Sequence, residues 1–183
     1  MSDSPTPEFL VPPVRNDGPV RLAEPDPAWS DSYAREEERI RTALGERAVQ
    51  IEHAGSTSVP GLAAKPVIDI VLVVADSADE PAYVPALESA GYRLRFREPA
   101  WHEHRFLVDA PTVQIHVFSV GSAEVERMLR FRDRLRSNSA DLELYQRTKR
   151  ELAGRHWAFV QDYAEAKTSV IEAIMTRAAD EDH

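Results

Sequence analysis

Residues Glu52 to Val74 read EHAGSTSVPGLAAKPVIDIVLVV. Gly55, Ser56, Thr57 and Ser58 make a tight turn, Pro60 and Gly61 a short loop, and Val67 to Val74 an apolar strand that carries one carboxylate, Asp69. An ionised carboxylate in such a strand is costly to bury unless it is paired, hydrogen-bonded or bound to a metal. Asp69 is therefore the first residue that needs an explanation.

The rest of the chain supplies the elements around this stretch. Val49 to Ala54 is a short strand leading into the turn, and Tyr92 to Arg97, His104 to Val108 and Val113 to Phe118 are further strands. The short Asp109-Ala110-Pro111 corner makes the last two an antiparallel hairpin, so the sheet is expected to be mixed. Asp26 before Pro27, then Trp29, Tyr33, Ile40 and Leu44 at helical spacing, predict a helix over about 27–46. Tyr83 to Ala90 reads as a helix ended by Gly91. After Ser122 the pattern is helical throughout: one helix capped by Ser122, a second through Leu142 and Leu152, and a third from about His156 to Arg177. The expected fold is α/β with a mixed sheet, flanking helices and a C-terminal helical subdomain.

At 183 residues the chain suits one domain, taken as 19–178. Seven prolines among the first 27 residues predict a flexible or surface-draped arm over 1–18, with Val20 to Leu22 as a candidate edge strand. The acidic end, 179–183, is expected to fray. A net charge of −9 argues against non-specific nucleic-acid binding. No apolar run approaches the length of a membrane span, no signal peptide is evident and cysteine is absent, so the cytoplasm is the expected location.

A Gly-Ser turn with outward amides beside a strand carboxylate can bind a nucleoside triphosphate and hold its metal. Ser56 precedes Asp69 by 13 positions, a combination that resembles the nucleotidyltransferase superfamily related to DNA polymerase β. Gly55 to Ile70 (GSTSVPGLAAKPVIDI), Gln114-Ile115-His116-Val117, Phe131 to Arg136, Tyr145 with Lys149, and Tyr163 with Lys167 together are similar to the GrpB family. That family is a branch of the same fold, found alone or joined to dephospho-CoA kinase, and the resemblance covers roughly residues 19–176. It implies a nucleotidyltransferase-like protein that takes a nucleoside triphosphate, with ATP the first candidate, and a Mg2+ or Mn2+ ion, and acts on a small molecule. An association with coenzyme A metabolism is the other implication.

The same resemblance implies roles for individual residues. Asp69 would hold the metal, with Glu52, His53 or His116 as a further ligand, because the superfamily's second strand carboxylate falls at position 71, where this chain has Val71. Gly55, Ser56, Thr57 and Ser58 would hold phosphate. Lys65 would neutralise it. Arg132 and Arg136 on one helix, and Tyr145 and Lys149 on the next, would close a basic mouth over Asp69, with Lys167 joining the nucleotide site. Asp69, Lys65 and His116 are the catalytic candidates. Plainer readings stand beside these. His116 can equally be a satisfied sheet histidine, and most of the Arg127 to Arg136 charges can pair within their helix. His102 and His104, two apart, have a spacing that on a strand could chelate a metal, but they are expected to lie exposed in a loop, and Trp29, Trp101 and Trp157 are packing residues.

Overall fold

The computed structural model describes residues 6–13 and 15–181. Six strands form one sheet in the order β1-β5-β6-β7-β4-β3: β3 is Gln50–Ala54, β4 Ile68–Val74, β7 Val113–Ser119, β6 His104–Asp109, β5 Arg93–Glu98 and β1 Glu8–Phe9. Only β4 and β7 run parallel; every other pair is antiparallel. The sheet is mixed, and the predicted β6–β7 hairpin is present.

Alternation along β4 divides its residues between two cores. Ile68, Ile70 and Leu72 face α1 (Ala28–Leu44) and α2 (Val84–Ser89), and pack with Ile40, Leu44, Leu87, Tyr92, Ile115 and Val117 in the main core. Asp69, Val71 and Val73 face the other way. Val71 and Val73 meet Ala54, Phe118 and Val125 beneath α3 (Ala123–Ser137), and Met128 and Leu129 of that helix complete the patch. Asp69 stands just beyond the cover that α3 provides, so the sheet's period of two and the reach of one helix decide which β4 residue meets solvent.

Helix α1 begins as its sequence predicts, with the Asp26 side chain accepting a hydrogen bond from the Ala28 amide at 2.9 Å. Helix α3 does not: Ser122 makes no side-chain cap, and its buried hydroxyl has no hydrogen-bond partner. In α4 (Ser139–Ala153), Asn138 takes the capping role by accepting from the Asp141 amide.

Two expectations need correction. The single helix expected over 156–177 is broken into a strand, β8 (Trp157–Phe159), and two helices, α5 (Val160–Glu165) and α6 (Thr168–Glu181). The break has a partner: β8 pairs with β2 (Arg15–Gly18), and the Asp162 carboxylate caps the Phe159 amide at 3.0 Å. Val20 to Leu22 form no strand. The sheet edge is instead covered by β1 against β5, while the Val20 amide bonds to the Ala153 carbonyl and Ala23 bridges Ala64. Of the proline-rich arm, residues 1–5 and 14 lie outside the described residues, as do 182 and 183 of the acidic tail. Glu181 ends α6 in an ion pair with Arg134. No helix among the described residues is long and apolar enough to cross a membrane.

Candidate functional site

The site is built where β3 ends and β4 begins. Gly55 leaves β3 with φ +64°, a conformation open to glycine at little cost, and Ser56–Ser58 complete one helical turn. Ala54 pairs with Asp69, so the turn folds directly onto that carboxylate. A Cβ at Gly55 would stand 2.2 Å from Asp69 Oδ2. The glycine and the carboxylate separated in sequence are therefore one piece of structure. Ser58 Oγ donates to the Gly55 carbonyl at 2.6 Å and locks the turn.

Three lysines from three elements are near enough to interact electrostatically with Asp69. Lys65 comes from the loop entering β4, Lys149 from α4, and Lys167 from the junction between α5 and α6. Lys149 is buried, donates to the Ala63 carbonyl at 2.6 Å and lies 5.5 Å from the Tyr145 ring. Burial and the charges of Lys167 and Lys65 push its ammonium down to about 7, against the opposing pull of Asp69. Burial, reinforced by Lys65 and opposed by Asp69, takes Lys167 down to about 8, with Nζ 4.6 Å over the Tyr163 ring. Burial lowers Lys65 as well, and Asp69 opposes it. Three lysines of lowered proton affinity about one carboxylate leave an excess of positive charge that a polyanion would complete by drawing protons on. Tyr145, fully enclosed, turns its hydroxyl toward Ser56, and burial raises its pKa.

His116 shares the face of Asp69, since β7 places it beside Val71 in register. Its Nε2 is 3.7 Å from Asp69 Oδ1, and both side chains are about a quarter exposed, 23% and 25%. Other candidates are engaged elsewhere. Arg132 Nη1 donates to Glu52 Oε2 at 2.9 Å and to the His53 carbonyl at 3.1 Å, while Arg136 donates twice to the Ser58 carbonyl. The two arginines clamp α3 to β3 and to the turn rather than forming a mouth over Asp69. Thr57 points inward, donating to the Val67 carbonyl and meeting His53 Nε2 at 3.0 Å. His53 lies on the α1 side, stacked on Tyr33 at 4.6 Å.

These contacts test the expected metal. A bridged pair of Mg2+ or Mn2+ ions needs several oxygen donors on one face. The donors here are Asp69 and His116, Glu52 is held by Arg132, and no group of three His, Asp or Glu suited to an ion occurs among the described residues. Among the described residues the donor set fits neither such a pair nor the single ion expected on Asp69, Glu52 and His116. Position 71 cannot supply the missing carboxylate, because Val71 is fully buried under α3. Val71→Asp is expected to cost about 3 kcal/mol or more, seen as a lower urea midpoint, without creating a metal site. A variant as stable as the parent that gained manganese affinity would overturn this.

His104 is not the exposed loop residue expected from the Trp-His-Glu-His sequence. His102 does sit in the turn, exposed and with φ +54°, but His104 opens β6 and is 2% exposed. Its ring lies between those of His116 and Phe118, at 5.2 and 4.8 Å, with Trp101 edge-on at 5.3 Å. Glu98 holds its Nδ1 at 2.6 Å. Glu98 carries no signal of its own in the sequence; the usable signal for His104 was that a histidine at the first position of β6 shares the face of His116.

The chain matches the family described as GrpB protein over residues 19–177. It belongs to the GrpB family. The crystal structure of conserved protein GrpB from Enterococcus faecalis superposes with a TM-score of 0.75 at 30% identity, covering 88% of this chain and 98% of that one. A UPF0157 protein of Halalkalibacterium halodurans is 56% identical over 160 residues, 87% of this chain and 82% of its own length. A dephospho-CoA kinase of Mycolicibacterium paratuberculosis is 46% identical over 77 residues, 40% of this chain and 19% of the kinase. The GrpB fold is thus the fold of this chain.

Proposed function

We propose that this GrpB chain binds a nucleoside triphosphate, with ATP the first candidate, and transfers its nucleotidyl group to a small molecule. The observation that carries this reading is the convergence of the Gly55-Ser56 turn, Asp69, Lys65, Lys149 and Lys167 at one point. Amides at the start of a helical turn have no partner within it and face phosphate oxygens well. Lysines from three elements can spread their charge along a triphosphate and meet the negative charge that develops at the α-phosphorus. Transfer to a carboxylic acid would make the same site the activating half of an ATP-dependent ligase.

A second reading is a non-catalytic module that binds a nucleotide or a coenzyme A compound. It is favoured by the identity shared with a segment of dephospho-CoA kinase. A thermal-shift series with ATP, GTP, CTP, UTP, dephospho-CoA and CoA, each with and without magnesium or manganese, separates the two. A ligand at a hundred times its dissociation constant adds about 2.7 kcal/mol. Stabilisation by one triphosphate, joined by release of pyrophosphate when the right acceptor is present, is expected. Asp69→Asn should then lose that turnover. Stabilisation by a coenzyme A compound alone, or turnover retained in Asp69→Asn, would overturn the transferase reading.

A further inference from the structure

Four titratable side chains form a line across the sheet from β5 to β4. Glu98 Oε2 is 2.6 Å from His104 Nδ1, His104 Nε2 is 3.2 Å from His116 Nδ1, and His116 Nε2 is 3.7 Å from Asp69 Oδ1. The line follows from register, because Glu98 pairs with His104 across β5–β6 and His116 pairs with Phe106, two residues along β6. His104 is 2% exposed, and burial, against the opposing pull of Glu98, pushes it down to about 4, which favours the neutral ring.

Hydrogen-bond inventory then determines which nitrogens carry protons. A carboxylate only accepts, so the proton of His104 is on Nδ1 and its Nε2 is bare. A bare Nε2 must accept, so His116 donates from Nδ1. A neutral His116 protonated at Nδ1 has a bare Nε2, and that atom faces Asp69 and the cleft. Two acceptors, Nε2 and Oδ1, thus stand side by side, 3.7 Å apart.

We propose that Glu98 and His104 are positioning residues that fix the tautomer of His116, and that His116 Nε2 is the general base of this site. The chemical part rests on the nucleotidyl-transfer reading; the tautomer does not. In the reaction, the acceptor's hydroxyl oxygen forms a bond to the α-phosphorus. The bond from that phosphorus to the bridging oxygen breaks, and its electron pair leaves with pyrophosphate. The acceptor's proton moves to His116 Nε2, and the resulting imidazolium is stabilised by the Asp69 carboxylate.

The test is nitrogen NMR of the ligand-free chain, in which a bare ring nitrogen and a protonated one resonate far apart. His116 is assigned by the loss of its signals in His116→Asn. The parent is expected to show Nδ1 protonated and Nε2 bare at His116. Neutral imidazole without a directing partner prefers its proton on Nε2, so Glu98→Met should move the His104 proton to Nε2 and reverse His116. Glu98→Gln keeps a carbonyl acceptor and should retain the parent pattern, so a change seen only in Glu98→Met is not general damage. A parent His116 protonated on Nε2, or an unchanged His116 in Glu98→Met, would overturn the positioning role. Once turnover is in hand, Glu98→Met should lower kcat about 10- to 100-fold with KM for the triphosphate unchanged. An unaltered kcat beside a reversed tautomer would sink the base role alone.

Discussion

Gly55→Ala is expected to destabilise the chain by about 2–5 kcal/mol and to open the turn over Asp69. Two costs combine. The backbone at position 55 has φ +64°, and the added methyl would lie 2.2 Å from Asp69 Oδ2 and 2.8 Å from its Cβ and Cγ. None of these atoms is the free end of a long side chain, since Asp69 is fixed on a central strand. In a domain of this size each kcal/mol moves Tm by about 2–4 °C, so a fall of roughly 4–20 °C is expected. Gly61→Ala separates the two costs, because Gly61 has φ +79° but nothing within 4 Å of its would-be Cβ. It should lose only the backbone contribution, about 1–2 kcal/mol. Equal melting temperatures for the two variants would mean that the carboxylate does not lie beneath the turn.

Lys149→Met is expected to weaken triphosphate binding on the order of 100-fold at pH 7 while leaving the fold as stable as before or more so. The buried ammonium gives up hydration and is repelled by Lys65 and Lys167, so the free protein is relieved when it is replaced by an apolar chain of similar length. Binding is where the charge is useful. A triphosphate should draw a proton onto Lys149, so near neutral pH binding is accompanied by proton uptake and weakens as pH rises; titration calorimetry in buffers of different ionisation enthalpy measures this. The folded pKa lies below the unfolded value of 10.5. Between about 7 and 10.5 the unfolded chain therefore holds more protons, and stability rises with pH through that window. Lys149→Met should flatten this rise, with Lys167 leaving a smaller one. A variant that binds as well as the parent, with the same proton uptake, would remove Lys149 from the site.

The central sheet was legible because β3, β4 and β7 are short, apolar or alternating runs bounded by turn residues, which is the information a buried strand must carry locally. The same is true of Asp69, whose charge is conspicuous in its strand, and of Gly55, Ser56, Lys65, Tyr145, Lys149 and Lys167, which belong to motifs. What failed depends on partners remote in sequence. The residues of β8 look helical until β2 is set beside them, and a proline-rich arm gives no hint that Glu8 and Phe9 will cover the edge of β5. His104 reads as exposed because the partners that make its burial tolerable, Glu98 and His116, are not its neighbours in sequence. Arg132 and Glu52 were each seen as site groups, but nothing local says that they neutralise one another across 80 positions.

The small β2–β8 sheet also dictates a schedule. Its register joins Arg15 to Phe159 and Gly18 to Trp157, a loop closure spanning most of the chain. On the ribosome the segment that becomes β2 is made well before its partner emerges, with Asn16 and Trp157 lying 141 positions apart. The α1-to-β7 body can assemble before that moment, whereas Lys167, which follows β8, can join Lys65 and Asp69 only afterwards. The nascent chain therefore can acquire its core before it completes its cluster of lysines.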